Sequence, residues 1–457
     1  MKSSIIATRA LLIAALQCAF AAPTPSSSDQ AVSALDHAAG TDEYIVLMAP
    51  DEKRPWAEIF SSMNCSQSDA RTFGTQLRAF TMSMKESDAA TISAFGNVAI
   101  TAKNFRRATA VMPAKPWDMP AGSGFKMGVQ RRQAAAVVEQ SSATWGLSRI
   151  SSTEPIQVFV GQAVTDSSFK YRFDRSGGAG VDVYVLDTGL NVAHVDFGGR
   201  AKILFSAFGD DGRDTDGHGT HTAGTIGSLT FGVAKNTNLF GVKVIDTEGG
   251  SDATIAAGID ASIAQHMQRK NLPGFMGSVI SMSLGGPVGS PVFAEVIRRA
   301  TDAGMHVSVA SGNENQDACA SEPGRLSKVL PIINVGATDI NDARAEFSNF
   351  GSCVDIHAPG VKVVSTWNTG PRAVMPLDGT SMACPGVTGV IAAELTKNPN
   401  LKLDPAGMKK LILSKAVNGT IRGVANLPQD GMVMLHNAAG EPGASPNATD
   451  PLLRRRV

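Results

Sequence analysis

The stretch VDVYVLDTG, residues 181–189, is a mostly apolar run that ends in a turn signal. Similar runs at 239–245, 279–284 and 307–310 are each followed by a turn that contains glycine. Helical patterns lie at 252–268, 291–303 and 380–397. Strand runs interleaved with helices predict an α/β fold with a mainly parallel sheet flanked by helices on both faces. In such sheets ligands bind outside the carboxyl ends of the strands, where several of these turns fall.

The length and composition of the chain suit a globular protein with two folding units. The chain has 457 residues, and its 41 basic side chains balance 41 acidic ones. This balance gives no reason to expect nucleic acid as a partner. Beyond the first residues no segment offers 18 or more uninterrupted apolar residues, so we expect no membrane span either.

The N-terminal residues predict a secretory signal peptide over 1–21. A basic start and an apolar run precede the sequence AFA at 19–21, which is a typical cleavage site. We therefore expect a secreted, extracellular protein, with a vacuolar lumen as the alternative. The N-x-S/T acceptors at Asn64, Asn418 and Asn447 suit that compartment, although each can equally be an unused tripeptide.

Residues 22–137 lack the alternation of apolar strands and helices that the following sequence shows. Residues 43–105 predict a small α+β unit, with strands at 44–48 and near 98–102 and helices around 57–62 and 70–83. Residues 112–133 hold several prolines and glycines and the basic pair Arg131-Arg132, which is typical of a linker that a protease can reach. At the other end, residues 441–457 predict a disordered tail.

The five cysteines leave the pairing open. Cys18 is removed with the signal peptide. Cys319 and Cys353 lie in turn-rich sequence and could pair in an oxidising lumen, whereas Cys384 is predicted to be a small buried residue. Cys65 is left over. Sequence alone does not establish connectivity.

Asp187 and His218 are candidates for an acid–base pair. An aspartate before Thr-Gly is also a common turn residue, and His218 with His221 could bind a metal. No third imidazole or carboxylate follows them at helical spacing, which disfavours zinc. Glycines around His218 would leave its ring accessible as a base, and a carboxylate could hold the other ring nitrogen. His221 is predicted to be a packed structural histidine.

Ser381 lies in DGTSMACPG, residues 378–386, ahead of an apolar run. A serine before a helix is most often an N-cap, but a helix N-terminus can also stabilise an oxyanion. Asn313 follows Ala310-Ser311-Gly312 and could either form a turn or donate to that oxyanion. At another strand end, Ser283-Leu284-Gly285 could pair with an extended peptide or simply lead into a glycine turn.

Four motifs occur in a fixed order: LDTG at 186–189, HGTHTAG at 218–224, ASGN at 310–313 and GTSMACPG at 379–386. Together they resemble the subtilisin family of serine proteases, closest to its proteinase K-like branch. WGLSRI at 145–150, GVAK at 232–235 and FSNFG at 347–351 extend the likeness over about residues 138–440. The resemblance implies that family's three-layer α/β fold over 138–440, preceded by a small α+β propeptide within 22–137. Aligned on Trp145, the mature enzyme would begin near Val138, and Val137 would lie in the active site before self-cleavage.

The resemblance also implies roles for individual residues. Four side chains would carry the chemistry: a nucleophile, Ser381; a general base and acid, His218; its orienting carboxylate, Asp187; and an oxyanion donor, Asn313. The segments that would line the primary specificity pocket and pair with substrate are Ser283-Leu284-Gly285 and Ala310-Ser311-Gly312. Their small residues suggest a preference for apolar or aromatic substrate side chains.

Outside the active site the resemblance implies a structural calcium ion and a disulfide bond. Asp355 matches a calcium ligand, and Cys319 and Cys353 match positions that are disulfide-bonded in some relatives. No cofactor is expected for catalysis. Cys384 replaces the Thr or Ser that is usual in the family, and Gly386 replaces the usual His. These differences concern the packing of the nucleophile's helix rather than the mechanism.

The predicted function is a secreted serine endopeptidase that is made as an autoprocessed zymogen. Its partners would be protein and peptide substrates and its own propeptide as an intramolecular inhibitor, and we expect a monomer. A rival from another class is a catalytically silent secreted binding protein that retains its propeptide on the same scaffold. A second rival, a dibasic-specific processing protease, predicts acidic residues in the specificity pocket. The two lining segments contain none, though more distant loops could contribute charge.

Overall fold

The computed structural model describes residues 41–109, 117–118, 137–423 and 432–439. The chain forms two compact units: Met1–Phe105 with Ser290–Val292, and Arg106–Gly289 with Phe293–Val457. The predicted signal peptide, most of the predicted linker, the acceptor at Asn447 and the predicted tail lie outside the described residues. No helix in the described part of the chain is both long and apolar enough to cross a membrane.

The first unit contains an antiparallel sheet with two helices packed on one face, so it is an α+β unit, as the sequence predicts. The buried face of the sheet includes Val46 and Phe80, which pack in one cluster with Phe60 and Ile92 of the helices. The strand order is β2-β3-β1-β4. The strands are β1 (Asp42–Met48), β2 (Ala70–Phe73), β3 (Ala79–Met84) and β4 (Val98–Lys103), and the helices are α1 (Trp56–Ser62) and α2 (Glu86–Ser93).

The predicted helix at 70–83 is wrong, because β2 and β3 form a hairpin there. Gly74 adopts a φ of 85°, which interrupts any helix and suits a turn. Phe80 and Thr81 are aromatic and β-branched residues that favour the paired strand.

The second unit is built around a larger sheet. Its helices within the described residues are α3 (Trp145–Ile150), α4 (His218–Gly227), α5 (Asp252–Arg269), α6 (Pro291–Asp302), α7 (Thr380–Lys397) and α8 (Pro405–Lys415). Its strands there are β5 (Arg106–Arg107), β6 (Trp117–Asp118), β7 (Val137–Ala143), β8 (Phe169–Asp174), β9 (Val181–Asp187), β10 (Ala201–Ser206), β11 (Asn238–Lys243), β12 (Ile245–Asp246), β13 (Gly249–Ser251), β14 (Gly277–Met282), β15 (Gly286–Pro287), β16 (His306–Ala310), β17 (Ser321–Glu322), β18 (Ile333–Thr338), β19 (Ile356–Pro359), β20 (Val363–Thr366), β21 (Ala373–Leu377), β22 (Val417–Asn418) and β23 (Val433–Met434).

The central sheet has the order β10-β11-β9-β14-β16-β18-β19-β23-β22, counted over the described residues. Its pairs are parallel except β22 with β23, which confirms the predicted mainly parallel sheet. Successive side chains of β9 serve opposite faces. Val183 and Val185 belong to the same core cluster as Val387 of α7, whereas Leu186 lies near Gly258 of α5. Helices therefore cover both faces of the sheet.

The predicted disulfide bond between Cys319 and Cys353 is present and closes a loop of 34 residues. Cys384 is fully buried and carries no disulfide bond, as predicted. Its sulfur lies 3.5 Å from Ser308 Oγ and 3.9 Å from Ser281 Oγ, so it completes a small polar cluster beneath the start of α7.

Candidate active site

Asp187 and His218 form a short hydrogen bond at the carboxyl end of β9. Asp187 is the last residue of β9, and its Oδ1 lies 2.7 Å from His218 Nδ1. Both side chains are almost completely buried. Because Nδ1 faces a carboxylate, the other ring nitrogen, Nε2, is the one that can exchange a proton with a reacting group. Nε2 has no hydrogen-bond partner among the described residues.

The Asp187 carboxylate is held by its neighbours in the sequence and in α4. The backbone N–H of Thr188 donates to Oδ1 at 2.8 Å, and the Thr222 hydroxyl donates to Oδ2 at 3.4 Å. Thr188 is in turn fixed, because its hydroxyl donates to Asp214 and accepts from the N–H of Gly219. The carboxylate therefore has one orientation towards the histidine ring.

His218 is the first residue of α4, and the glycine after it lets the helix approach β9. A Cβ on Gly219 would lie 2.2 Å from the carbonyl oxygen of Gly189 and 3.2 Å from Asp187 Cβ. No side chain fits such a distance, so the glycine in this motif is what brings the histidine to the aspartate.

The charges around His218 favour its protonated form. Burial alone would lower the pKa of His218, but the charge of Asp187 and its hydrogen bond raise it, and the charges of Asp216 and Asp214 add to that effect. The net pKa lies above the usual value for histidine. A base of this kind accepts a proton readily and keeps it until a leaving group takes it.

His221, one turn further along α4, has a structural role, as the sequence predicts. Burial lowers the pKa of His221 to about 3, so the ring is neutral. Its Nε2 lies 3.0 Å from the carbonyl oxygens of both Val363 and Met375, which ties α4 to β20 and β21. Within the described residues no group of three or more His, Cys, Asp or Glu side chains is arranged to hold a metal ion.

Ser381 is the second residue of α7, which packs against α4. Its hydroxyl donates to the carbonyl oxygen of Ser283 at 3.2 Å, and the Ser283 hydroxyl donates to the carbonyl oxygen of Ser381 at 2.9 Å. The start of α7 is therefore tied to the end of β14. The backbone N–H groups of the first turn, which have no partners within the helix, lie beside the hydroxyl.

Asn313 is oriented by the residue that precedes Ser381. Its Oδ1 accepts hydrogen bonds from the Thr380 backbone N–H and from the Thr380 hydroxyl, both at 2.8 Å. Because both contacts are with donors, Oδ1 faces α7 and Nδ2 is the donor end of the amide. The N–H of Gly312 also donates to Thr380 Oγ1, so Thr380 fixes the end of β16 as well.

The two segments expected to line the specificity pocket lie at the ends of neighbouring strands. Leu284 and Ser311 are buried, and Asn349 Nδ2 donates to the Ser311 carbonyl oxygen at 2.8 Å. A cavity of about 510 Å³ lies close by, lined partly by Asn313 and Asp216. Of the predicted site residues, Asn313 lines this cavity, which we call the cleft.

The segment along this cleft is Arg106–Ala108, not Val137. Ala108 exchanges two backbone hydrogen bonds of 3.2 Å with Gly285, and Arg107 pairs with Gly250 in β13. Val137 instead pairs with Asp174, where β7 runs against β8. The expectation that Val137 occupies the active site of the uncut chain is therefore wrong. The position of the cleavage itself stays a prediction.

Asp355 is engaged by groups other than a metal. Its Oδ1 lies 3.0 Å from the Lys409 ammonium, and its Oδ2 accepts the N–H of Asn334 at 2.9 Å. Burial raises the pKa of Asp355, against the opposing effect of Lys409. Since a lysine already supplies the positive charge, the residues around Asp355 do not fit the calcium ion that the resemblance implies.

Several residues that support the site have no obvious signature of their own. Thr380, Thr188 and Asp214 orient Asn313, Asp187 and the start of α4 through the contacts described above. Each lies inside a motif or within four residues of one, so the sequence could have indicated them as neighbouring hydroxyl and carboxyl groups able to form hydrogen bonds. Asp252 and Glu322, which contact Arg107, carry no such signal because they are far from every motif.

Comparisons with known proteins indicate one family. The family model described as the subtilase family, Peptidase S8, matches residues 178–441. Proteinase T of Parengyodontium album is 42% identical over 305 residues, which cover 66% of this chain and 94% of that protein. The subtilisin-like serine protease Rho m 2.0101 of Rhodotorula mucilaginosa is 40% identical, with 65% and 87% covered.

Another relative extends well beyond the part that matches this chain. Alkaline protease 2 of Aspergillus fumigatus is 38% identical over 68% of this chain, but the match spans only 62% of that protein. Among solved structures, a cold-adapted subtilisin-like serine proteinase is 35% identical, with a TM-score of 0.56, and the match covers 66% of this chain and all of that one. The family inferred from the four motifs is confirmed, and this chain belongs to the subtilase family.

Proposed function

We propose that the chain is a serine endopeptidase in which Ser381, His218 and Asp187 act together. The observation that carries the proposal is the 2.7 Å contact between Asp187 and His218 beside a helix whose first turn holds Ser381. The relatives named as a proteinase and as a subtilisin-like serine protease support the same activity. The rival of a silent binding protein is not favoured, because all four residue types that the reaction needs are present and Asp187 contacts His218.

We propose the following reaction for these groups. Ser381 Oγ forms a bond to the carbonyl carbon of the substrate, and its proton passes to His218 Nε2. The negative charge that develops on the carbonyl oxygen is stabilised by Asn313 Nδ2 and the N-terminus of α7. The C–N bond then breaks as the amine takes the proton from His218. Water attacks the acyl-enzyme in the same way and releases Ser381.

The finer parts of the function are also proposals. The small, uncharged residues at 283–285 and 310–312 favour an apolar or aromatic side chain before the scissile bond. The contacts of Arg106–Ala108 with Gly250 and Gly285 support a zymogen whose own segment covers the cleft until it is cut. Secretion rests on the predicted signal peptide and on the disulfide bond, which suits an oxidising compartment.

Replacement of the nucleophile tests the activity. We expect Ser381→Ala to keep the mass of the uncut precursor, to hydrolyse no peptide and to take up no serine-directed fluorophosphonate. Ser414→Ala, an exposed serine of α8, is the matched control and should behave as the wild type. Hydrolysis by purified Ser381→Ala at the wild-type rate would contradict the proposal, as would a mature wild-type protein that does not react with the probe.

A further inference from the structure

The Arg107 side chain is buried against two carboxylates of the second unit. Its Nε lies 2.6 Å from Asp252 Oδ1, and its Nη2 lies 3.4 Å from Glu322 Oε2. All three side chains are fully buried. A buried arginine with two carboxylates is a specific arrangement, because each charge must be compensated once water is excluded.

The rest of the pocket also matches a guanidinium group. Nη1 donates to the carbonyl oxygen of Pro287 at 2.7 Å, and the guanidinium carbon lies 4.8 Å from the centre of the Phe293 ring. A planar fork of donors that stacks on an aromatic ring is a property of arginine rather than lysine. We call Asp252, Pro287, Phe293 and Glu322 the arginine pocket.

The backbone that carries Arg107 is bound in a way that any peptide could copy. Arg107 pairs with Gly250, and Ala108 with Gly285, through main-chain groups. A Cβ on Gly249, whose φ is +100°, would lie 2.7 Å from the carbonyl oxygen of Arg107, so this wall of the cleft is shaped for a close strand. Main-chain pairing fixes the register of a bound strand whatever its side chains are.

The same register relates the arginine pocket to the reacting serine. Ser283 lies two residues before Gly285, and its carbonyl oxygen is 3.2 Å from Ser381 Oγ. In an antiparallel pair, a substrate strand with one residue opposite Gly285 has the residue two further on opposite Ser283. That residue supplies the carbonyl group that Ser381 attacks. The side chain in the arginine pocket then belongs to the fourth residue on the amino side of the scissile bond.

We propose that the arginine pocket is a substrate subsite that selects arginine at the fourth residue before the scissile bond. This inference rests on the proposed endopeptidase function. Arg107 falls in the segment predicted to be removed on maturation, which would leave Asp252 and Glu322 without it. Glu322 keeps a contact of 2.9 Å with Arg325, whereas Asp252 Oδ2 has no hydrogen-bond partner among the described residues even with Arg107 in position. An incoming guanidinium restores the missing contacts.

The test compares peptides on the mature secreted enzyme. A series of fluorogenic peptides would share phenylalanine before the scissile bond and differ in whether arginine stands fourth, stands fifth or is replaced by alanine. We expect arginine in the fourth position to raise kcat/KM by about 10–100-fold over alanine, the usual effect of hydrogen bonds to charged groups. Arginine in the fifth position, which corresponds to the exposed Arg106, should give no such gain.

The outcomes separate this inference from the function on which it rests. Equal kcat/KM values for the arginine and alanine peptides would overturn the subsite and leave the endopeptidase proposal intact. Failure to cleave any peptide of the series would overturn both.

Variants of the pocket give a second measurement. Asp252→Asn and Glu322→Gln should each lower the ratio of kcat/KM for the fourth-position arginine peptide to that for the alanine peptide. The control Glu295→Gln removes an acidic residue from α6 that contacts Arg298 and Arg299, and the ratio should not change. A partial folding defect would lower both rates equally and leave the ratio unaltered. An unchanged ratio in both pocket variants would therefore overturn the inference.

Discussion

The catalytic centre and the arginine pocket each contain a buried aspartate that contacts a basic side chain. Asp187 lies 2.7 Å from His218, and Asp252 lies 2.6 Å from Arg107. Besides His218, the Thr188 N–H and the Thr222 hydroxyl hold the Asp187 carboxylate, and His218 stays in the same catalytic unit for the life of the enzyme. The partner of Asp252 lies in a segment that we expect to be cut away.

A third buried pair shows what a permanent ion pair looks like in this fold. Arg149 donates to both oxygens of Asp342, at 2.7 and 3.1 Å, and both side chains are fully buried. Asp252 by contrast uses only one oxygen, and Arg107 is shared between two carboxylates and a carbonyl oxygen. In this permanent ion pair, both carboxylate oxygens accept a hydrogen bond from the arginine. An acidic pocket that must release its first occupant and accept others is compensated less completely.

Removal of the charge of Asp187 should have the largest effect. We expect Asp187→Asn to lower kcat by about 10⁴-fold, because the amide would favour the wrong tautomer of His218 and leave the developing imidazolium without a counter-charge. Asp252→Asn should leave kcat for an alanine-containing peptide close to the wild-type value. The measurement is the steady-state turnover of the two variants on that peptide. A similar loss in both would remove the distinction between the two aspartates.

Loss of Arg107 should weaken the covering strand by an intermediate amount. In the Ser381→Ala chain, which we expect to stay uncut, Arg107→Ala should lower the free energy that holds β5 in place by about 3 kcal/mol. This is the low end for a broken buried pair, because water can enter once the strand leaves.

Hydrogen exchange of the Ala108 amide, which donates to Gly285, reports this free energy. Arg106→Ala is the matched control, since Arg106 is the same residue type in the same strand but is exposed. Equal exchange rates in the two variants would mean that the arginine pocket does not hold the strand.

The two regions also differ in how far the sequence predicted them. The reacting groups lie in continuous motifs at the ends of β9 and β16 and at the starts of α4 and α7. Glycines and hydroxyl groups of the same motifs position these side chains. Asp187, His218, Asn313 and Ser381 could therefore be proposed as the reacting groups from the sequence alone. The arginine pocket joins residues 107, 252 and 322, which come together only through the pairing of β5 with β13 and the packing of α5 and β17. No local pattern marks them.

The same limit explains the remaining differences. The two segments expected to line the primary specificity pocket contain no acidic residue, which spoke against a dibasic-specific protease but left charge from more distant parts of the chain open. The acidic residues Asp252 and Glu322 lie at the start of α5 and in β17, which only the fold brings together. The calcium ion implied at Asp355 depended on one matched residue, whereas the lysine that neutralises this residue, Lys409, lies on α8 and is distant in sequence.

The smallest expected effect is a difference between the two regions in how their charges change the pH dependence of kcat/KM. The pKa of His218 is raised by Asp187 and, more weakly, by Asp216 and Asp214, so the acid limb of kcat/KM should lie above the usual pKa of histidine. The base works only when neutral, and activity is therefore lost as the pH falls through this pKa. Asp216→Asn removes a negative charge that favours the protonated ring, which should move the acid limb to lower pH and raise kcat/KM a few-fold at acidic pH. Asp252→Asn, whose charge faces the arginine pocket instead, should leave the limb of the alanine-containing peptide in place. Profiles of kcat/KM against pH for the two variants measure the difference. If the acid limb moved equally in both variants, the pKa of His218 would depend on all the charges around the cleft rather than on the nearby Asp216.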